Sequence, residues 1–259
     1  MILYNNKYMD NNFPTEIDIT IIIPAYNEEK NLAETINSIR SQITNFSYDI
    51  IVIDNASTDK TSAIAKKMGV KTIYIAKKGL FYARQSGLHH VKTEFVVYVD
   101  ADTKLSTLWL QKTTEYLKKH PEAVAVSSNY DFYDANLILK IIFFLSQYVI
   151  APVVLVILRI FNKPDLFIGT AFAARTAILK QMGGFREDFP FYGEDIALAY
   201  RLAKKGKVRF LPSLFIYTSS RRYRSVGFFK TLYYYYMTSL YLVMGRTDKA
   251  SLFSKKHSK

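Results

Sequence analysis

Two acidic clusters stand about ninety residues apart in this 259-residue chain. Asp100-Ala101-Asp102 directly follows the apolar run Phe95–Val99, and Glu194-Asp195 follows an aromatic turn closed by Gly193. Carboxylates at the end of a buried strand suit a divalent cation that bridges protein and phosphate oxygens, because Mg²⁺ and Mn²⁺ are hard ions that favour oxygen ligands. A second, separate acid is then left to act as a base. Either cluster alone reads equally well as solvated loop charge, and it is the two contexts together that favour one site. Any metal must be held by oxygen or imidazole, since the chain has no cysteine. Its four histidines, His89, His90, His120 and His257, include no pair at the i, i+4 spacing that sets two rings on one helix face, which argues against zinc.

The first hundred residues contain the elements that would position these acids. Residues 19–23 are a β-branched run stopped by Pro24, followed by apolar residues at helical spacing, Leu32, Ile36, Ile39 and Ile43. Residues 49–53 repeat the strand, Ser57 to Asp59 supply capping groups, and residues 60–68 read as a helix closed by Gly69. A third strand at 71–75, a helix at 80–90 and a fourth strand at Phe95–Val99 complete the series. Such alternation predicts an α/β fold, a mostly parallel, Rossmann-like sheet with helices on both faces. Ligands of such sheets bind beyond the carboxyl ends of the strands. The polar loops lie there: Pro24-Ala25-Tyr26-Asn27-Glu28, Asp54-Asn55-Ala56-Ser57 and Asp100-Ala101-Asp102. Ordinary turn and capping chemistry explains each loop singly, but not why all three share one edge.

An apolar content of 49% is ample for a core, and the net charge of +13 calls for a polyanionic partner: nucleic acid, an anionic membrane or phosphorylated substrates. A nucleic-acid binder leaves the acids and the apolar segments without purpose, so no nucleic acid is expected. Residues 1–17 are polar and lack the basic start and apolar stretch of a signal peptide, which places the expected catalytic part in the cytoplasm.

Taken in order, Ile-Ile-Ile-Pro-Ala-Tyr-Asn-Glu-Glu at 21–29, Val-Ile-Asp-Asn-Ala-Ser-Thr-Asp-Lys-Thr at 52–61, residues 79–88 with Ala83-Arg84, residues 99–102 and Gly193-Glu194-Asp195 resemble the ordered motifs of the family 2 glycosyltransferases. The resemblance implies a GT-A fold over residues 18–220 and inverting transfer from a nucleotide-diphosphate sugar. By it, Pro24, Ala25, Tyr26, Asn27, Glu28, Asp54 and Asn55 would line the donor pocket, with Arg84 and Asp100 near the donor. Asn55 departs from the second acid that many relatives carry, which leaves the donor base open. Asp102 would hold Mn²⁺ or Mg²⁺ against the diphosphate, with Asp100 on the metal or its water shell. Gly169, Thr170 and Ala171, with Gly184 and Phe185, would form the acceptor wall, although turn geometry alone accounts equally well for Gly183-Gly184. Asp195 would be the general base, supported by Glu194. Arg221 and Arg222 would reach the diphosphate, or else lipid headgroups together with Lys255, Lys256 and Lys259.

One segment does not read as core. Residues 138–161 form an apolar insertion in which 141–158 carry no charge, about 27 Å as a helix against roughly 30 Å of hydrocarbon. A single crossing would separate Asp102 from Asp195, so it is excluded if both act together. Pro152 leaves a helical hairpin, an interfacial helix pair or a buried helix. The aromatic stretch 228–244 and the basic C-terminal segment 221–259 favour membrane contact, hence a peripheral or monotopic enzyme on the cytoplasmic face of an anionic membrane, acting on a lipid-linked or glycan acceptor. Two other readings compete. A sugar nucleotidyltransferase should carry a glycine-rich basic loop after the first strand, and a non-catalytic membrane-bound scaffold has no need of Asp100, Asp102 and Asp195 together.

Overall fold

The structure, a computed structural model, describes residues 17–187 and 192–257. Residues 1–16, Lys259 and the aromatic residues just before Tyr192 lie outside the described residues, so the expected N-terminal extension is represented only by Ile17.

Eight strands form one sheet in the order β3-β2-β1-β4-β7-β6-β8-β5. The expected βα series is present as β1 (Ile19–Ala25), α1 (Leu32–Arg40), β2 (Tyr48–Asp54), α2 (Thr61–Lys67), β3 (Lys71–Tyr74), α3 (Leu80–His90) and β4 (Phe95–Val99), with β1 to β4 mutually parallel. Alternation along β1 explains its continuous apolar run. Ile19, Ile21 and Ile23 pack with Leu32, Ile36 and Ile39 of α1, while Ile22 points to the other face against α3. Strand β1 does not stop at Pro24 as expected, but runs on to Ala25, paired with Asp54. The ladder to β4 ends at Ile22, so the missing N–H of Pro24 deprives no partner on that side.

The second half is mixed. Strand β7 (Ala171–Arg175) runs antiparallel between β4 and β6 (Ala123–Phe132), β8 (Lys207–Thr218) lies parallel to β6, and β5 (Thr103–Leu105) pairs antiparallel with β8. Helix α4 (Trp109–Lys119) precedes β6, and α7 (Thr176–Gln181) and α8 (Glu194–Leu202) precede β8. The reversal at β7 matters for function. It sets Ala171 beside Val99, so the Asp100 N–H bonds the Thr170 carbonyl at 2.8 Å.

The apolar segment is a single helix, Leu137–Ile160, of α5 (Leu137–Leu145), a π-helical turn at Ser146–Ile150 and α6 (Ala151–Ile160). Asn136 caps it by accepting from Leu139 N at 2.9 Å. The chain does not reverse at Pro152, which corrects the hairpin option: the proline sits in the first turn of α6, just past the π turn, where the ladder is already interrupted. Only 11% of the helix's most apolar stretch is buried, which removes the buried-helix option as well. The helix lies along the domain, with Phe143 packed against Tyr130, Phe132 and Tyr223 and Arg159 bonded to Asp165. Beyond β8 the chain is helical: α9 (Arg221–Val226), α10 (Phe228–Val243) and α11 (Thr247–His257).

Candidate active site

The site is organised around a buried arginine. Helix α3 approaches β1 closely because Gly87 has no Cβ; one there would stand 2.5 Å from Ile22 Cγ2. One turn earlier, Arg84 is thereby sunk under the sheet edge at 1% exposure. Its guanidinium donates to Glu194 Oε1, to Asp100 Oδ1 at 3.1 Å and to the Gly169 carbonyl at 2.8 Å, between the rings of Phe172 and Phe185. Burial works against its charge, but Glu194 and then Asp100 outweigh this and hold it firmly protonated. The acidic clusters, β4 and the loop before β7 are thus tied to one cation. Arg84 was expected to face the donor, yet it stands behind the acids and does not line the cavity.

A second arginine closes the front. Arg221, at the start of α9, pairs with both oxygens of Glu28 and with Asp102 Oδ2 at 3.1 Å. Burial, with Asp100 and Glu28 adding to it, pushes the Asp102 carboxyl up to about 7 against the pull of Arg221. Burial likewise raises Asp100, Glu194 and Asp195 above the ordinary carboxylate range.

Asp195 opens α8 after Gly193, whose φ of +78° places it in the left-handed region. Its carboxylate accepts from Ile196 N at 2.9 Å and from Gly169 N at 3.4 Å. Gly169 lets it come that close, since a Cβ there would stand 2.7 Å from Asp195 Cβ. The two neighbours in sequence face opposite ways: Asp195 lines the cavity, and Glu194 turns inward to Arg84.

That cavity, of about 1090 Å³, is lined by Asp100, Asp102 and Asp195, by Pro24, Ala25, Tyr26, Glu28 and Asn55 of the first two loops, and by Arg221 and Arg222. Two loop residues expected there serve as struts. Asp54 caps its own turn at Ser57 N, 3.0 Å, and Asn27 accepts from Thr58 N at 2.8 Å. Asn55 does line the cavity, but it also braces the next loop by donating to Lys77 O and accepting from Gly79 N, both at 2.7 Å. Of the expected acceptor wall only Thr170 faces the cavity. Gly169 positions Asp195, Ala171 is buried in β7, and Gly184 and Phe185 lie in the core, where Gly184 has a φ of +72° and the Phe185 ring packs edge-on against Tyr98. Turn geometry therefore accounts for Gly184. Sequence reasoning passed over Lys78, whose ammonium bonds the Tyr26 hydroxyl at 2.9 Å, and took Tyr235, whose hydroxyl is 3.3 Å from Arg222 Nη1, only as one ring of the aromatic stretch expected at a membrane. The signal for Lys78 was its place just before Gly79, at the start of α3.

Among the described residues no three His, Asp or Glu side chains cluster closely enough to hold a metal by themselves. The donor set fits a different arrangement: one or two carboxylates, Asp102 and Asp100, with substrate phosphates completing the shell, as Mg²⁺ is commonly bound. A desolvated Asp102 whose charge is now offset by Arg221 is suited to take a cation in its place.

Residues 20–181 match the family described as Glycosyl transferase family 2. The chain is 30% identical over 123 residues to glycosyltransferase GlyA of Streptococcus pneumoniae, covering 46% of this chain and 18% of that protein. It is 32% identical over 117 residues to a dolichol-phosphate mannosyltransferase of Pyrococcus furiosus, covering 43% and 33% respectively. The chain thus spans from under a fifth to a third of the length of these relatives. Mannosyltransferase PcManGT from Pyrobaculum calidifontis, solved with GDP-Man and Mn²⁺, superposes with a TM-score of 0.59 at 21% identity over 80% of this chain and 58% of that one. At that identity the superposition establishes the fold, which is the expected GT-A type.

Proposed function

From the premise that the chain belongs to glycosyl transferase family 2, we propose that it moves a sugar, with inversion, from a nucleotide diphosphate to an acceptor at the cytoplasmic face of a membrane. One observation carries this reading: Asp102 and Asp195, about ninety residues apart in sequence, face a single cavity, and Arg84, behind its wall, ties Asp100 to Glu194.

Asp195 takes the proton from the acceptor hydroxyl as its oxygen bonds the anomeric carbon and the carbon–diphosphate bond breaks. Burial suits Asp195 to this, because a raised carboxyl is a stronger base than an exposed one. Glu194 positions rather than reacts. Tyr26, Glu28, Asn55 and Lys78 line the donor side, and Arg221 and Arg222 offer guanidinium forks to phosphate oxygens. A divalent cation held by Asp102, with Asp100 beside it, would supply positive charge opposite the departing diphosphate. The dolichol-phosphate relative and the exposed apolar helix support a lipid-linked over a free glycan acceptor, and the +13 charge supports an anionic leaflet. The loop after β1 is not glycine-rich, which disfavours nucleotidyl transfer.

The test is a thermal-shift panel of nucleoside diphosphates with Mn²⁺. A ligand at 100 times its dissociation constant adds about 2.7 kcal/mol, so the donor's nucleotide should raise the midpoint by several degrees. A flat panel would contradict the reading. Flotation with anionic liposomes, weakened by salt, checks the membrane part.

A further inference from the structure

We propose that the half of the cavity farthest from the donor loops is the seat of one hydrocarbon chain of the acceptor, and that the acceptor is accordingly a single-chain lipid with an anionic head group. The proposal rests on the transferase reading above and specifies its acceptor.

The cavity does not end at the acids. It continues between two helices, each of which presents a stripe at four-residue spacing: Ser146, Ile150, Val154 and Leu158 on one side, Tyr235, Ser239 and Val243 on the other. Apolar Phe167, Ile168 and Ile196 join Tyr200 in closing it toward Asp195. The carboxylate in this half is Asp165, already satisfied by Arg159 at 2.7 Å and 3.0 Å and by Phe210 N at 3.2 Å, and the other polar groups are the hydroxyls of Ser146, Ser239, Tyr200 and Tyr235. These scattered hydroxyls stand among Ile150, Val154, Leu158, Phe167, Ile196 and Val243, so a sugar ring with a hydroxyl on nearly every carbon would give up more water than they replace. A hydrocarbon chain loses nothing by entering.

The charged end of the space fits a head group. Arg222 stands at the seam, lining the cavity between the acids and the apolar stripe, with Tyr235 Oη 3.3 Å away. A chain lying along the stripe therefore brings its anionic head group to Arg222 and an O–H of that head group, a hydroxyl or the P–OH of a phosphate monoanion, toward Asp195. Asp195 takes that proton as the oxygen bonds the anomeric carbon and the nucleoside diphosphate leaves. The space is also continuous with an apolar exterior. Phe144, Val149, Val153 and Val156, on the outer side of the same helix, are 57–58% exposed. At about 1090 Å³ the cavity exceeds the roughly 300–1,000 Å³ that ordinary ligand sites occupy, so it can admit a chain beside a nucleotide sugar.

The experiment titrates the full chain with isopentenyl, geranyl and farnesyl phosphate below their micelle concentrations, in parallel with the nucleotide panel. Each buried methylene is worth about fourfold, so farnesyl phosphate should bind at least ~10²-fold more tightly than isopentenyl phosphate after allowing for incomplete burial. Val154→Trp should abolish that chain-length dependence and leave the nucleotide shift unchanged. Affinities within about threefold across the wild-type series would overturn the proposal whether or not the variant folds, as would full displacement of farnesyl phosphate by phosphatidylglycerol vesicles, which would make the groove a membrane anchor. Nucleotide binding without chain-length dependence removes the lipid seat and keeps the transferase. Chain-length dependence without nucleotide binding keeps the seat and removes the transferase.

Discussion

Two arginines close the acidic ring from opposite sides, and they are built differently. Arg84 is 1% exposed, fixed from β-sheet to helix by Glu194, Asp100 and a backbone carbonyl. The side chain of Arg221 is 49% exposed and reaches Glu28 and Asp102 from the first turn of a short helix. The first is part of the framework. The second offsets the charge of Asp102, the carboxylate that on the proposed reading would hold a cation, and in that reading it would give way to the cation. The comparison teaches that charge count alone does not separate structural from functional arginines; solvent access and what each one ties together do.

The largest effect expected is that of Arg84→Met. It leaves Asp100 and Glu194 buried without their cation, and breaking such a pair costs about 3–5 kcal/mol. The variant should melt roughly 10 °C lower, measured by calorimetry. A shift under about two degrees would mean that Arg84 is not framework at all.

Next is Asp134, which fixes the start of α9. It accepts from Ser220 N at 2.6 Å, Ser219 Oγ at 2.7 Å and Arg224 Nη2 at 2.7 Å. Burial pushes its carboxyl up, but these donors prevail and hold it at about 2. A carboxyl depressed on folding contributes stability that is complete above the ordinary aspartate range and lost as pH falls toward about 2. Asp134→Asn should therefore cost about 1–2 kcal/mol near neutrality and flatten the acid limb of the stability curve, read by denaturant titration at several pH values. An unchanged limb would detach α9 from this anchor.

The smallest effect on the fold belongs to Arg221→Ala, about 1 kcal/mol or less, because water can replace a half-exposed partner. Its loss should fall instead on nucleotide affinity in the thermal-shift panel. If Arg221→Ala destabilises as much as Arg84→Met, the contrast between the two arginines fails.

The sequence made one half of the molecule legible and hid much of the other. Strands β1 and β4 are buried along their whole length and so read as unbroken apolar runs, while β2 is buried in its second half and the edge strand β3 has no buried residue. Strand β7 reads Ala-Phe-Ala-Ala-Arg, residues with little strand preference of their own, and is a strand because it fills the gap between β4 and β6. Strand β8 carries Pro212 and Ser213 where its register with β6 slips. In the site, Asp100, Asp102 and Asp195 were evident from their place after strands and turns. Arg84 was expected at the donor because the family resemblance puts a basic residue there; arginines are seldom fully buried, and its burial depends on Gly87 one turn away. Nothing local announces that Glu28 and Arg221, 193 residues apart, share an ion pair. Nor does the apolar segment announce which of its faces lines a cavity, although the four-residue spacing from Ser146 to Leu158 was there to be read.

The most direct test of the claim that both acidic clusters serve one reaction is Asp195→Asn, with sugar transfer and nucleotide binding measured on the same preparation. Transfer should fall by roughly 10²-fold or more, while the thermal shift given by nucleotide and Mn²⁺ stays near wild type. In the wild type the activity should decline as pH falls through a value above the ordinary aspartate range, since a base raised by burial must be ionised to work. Retained transfer in the variant, or nucleotide binding lost in proportion to activity, would contradict the assignment of Asp195 as the base facing the acceptor.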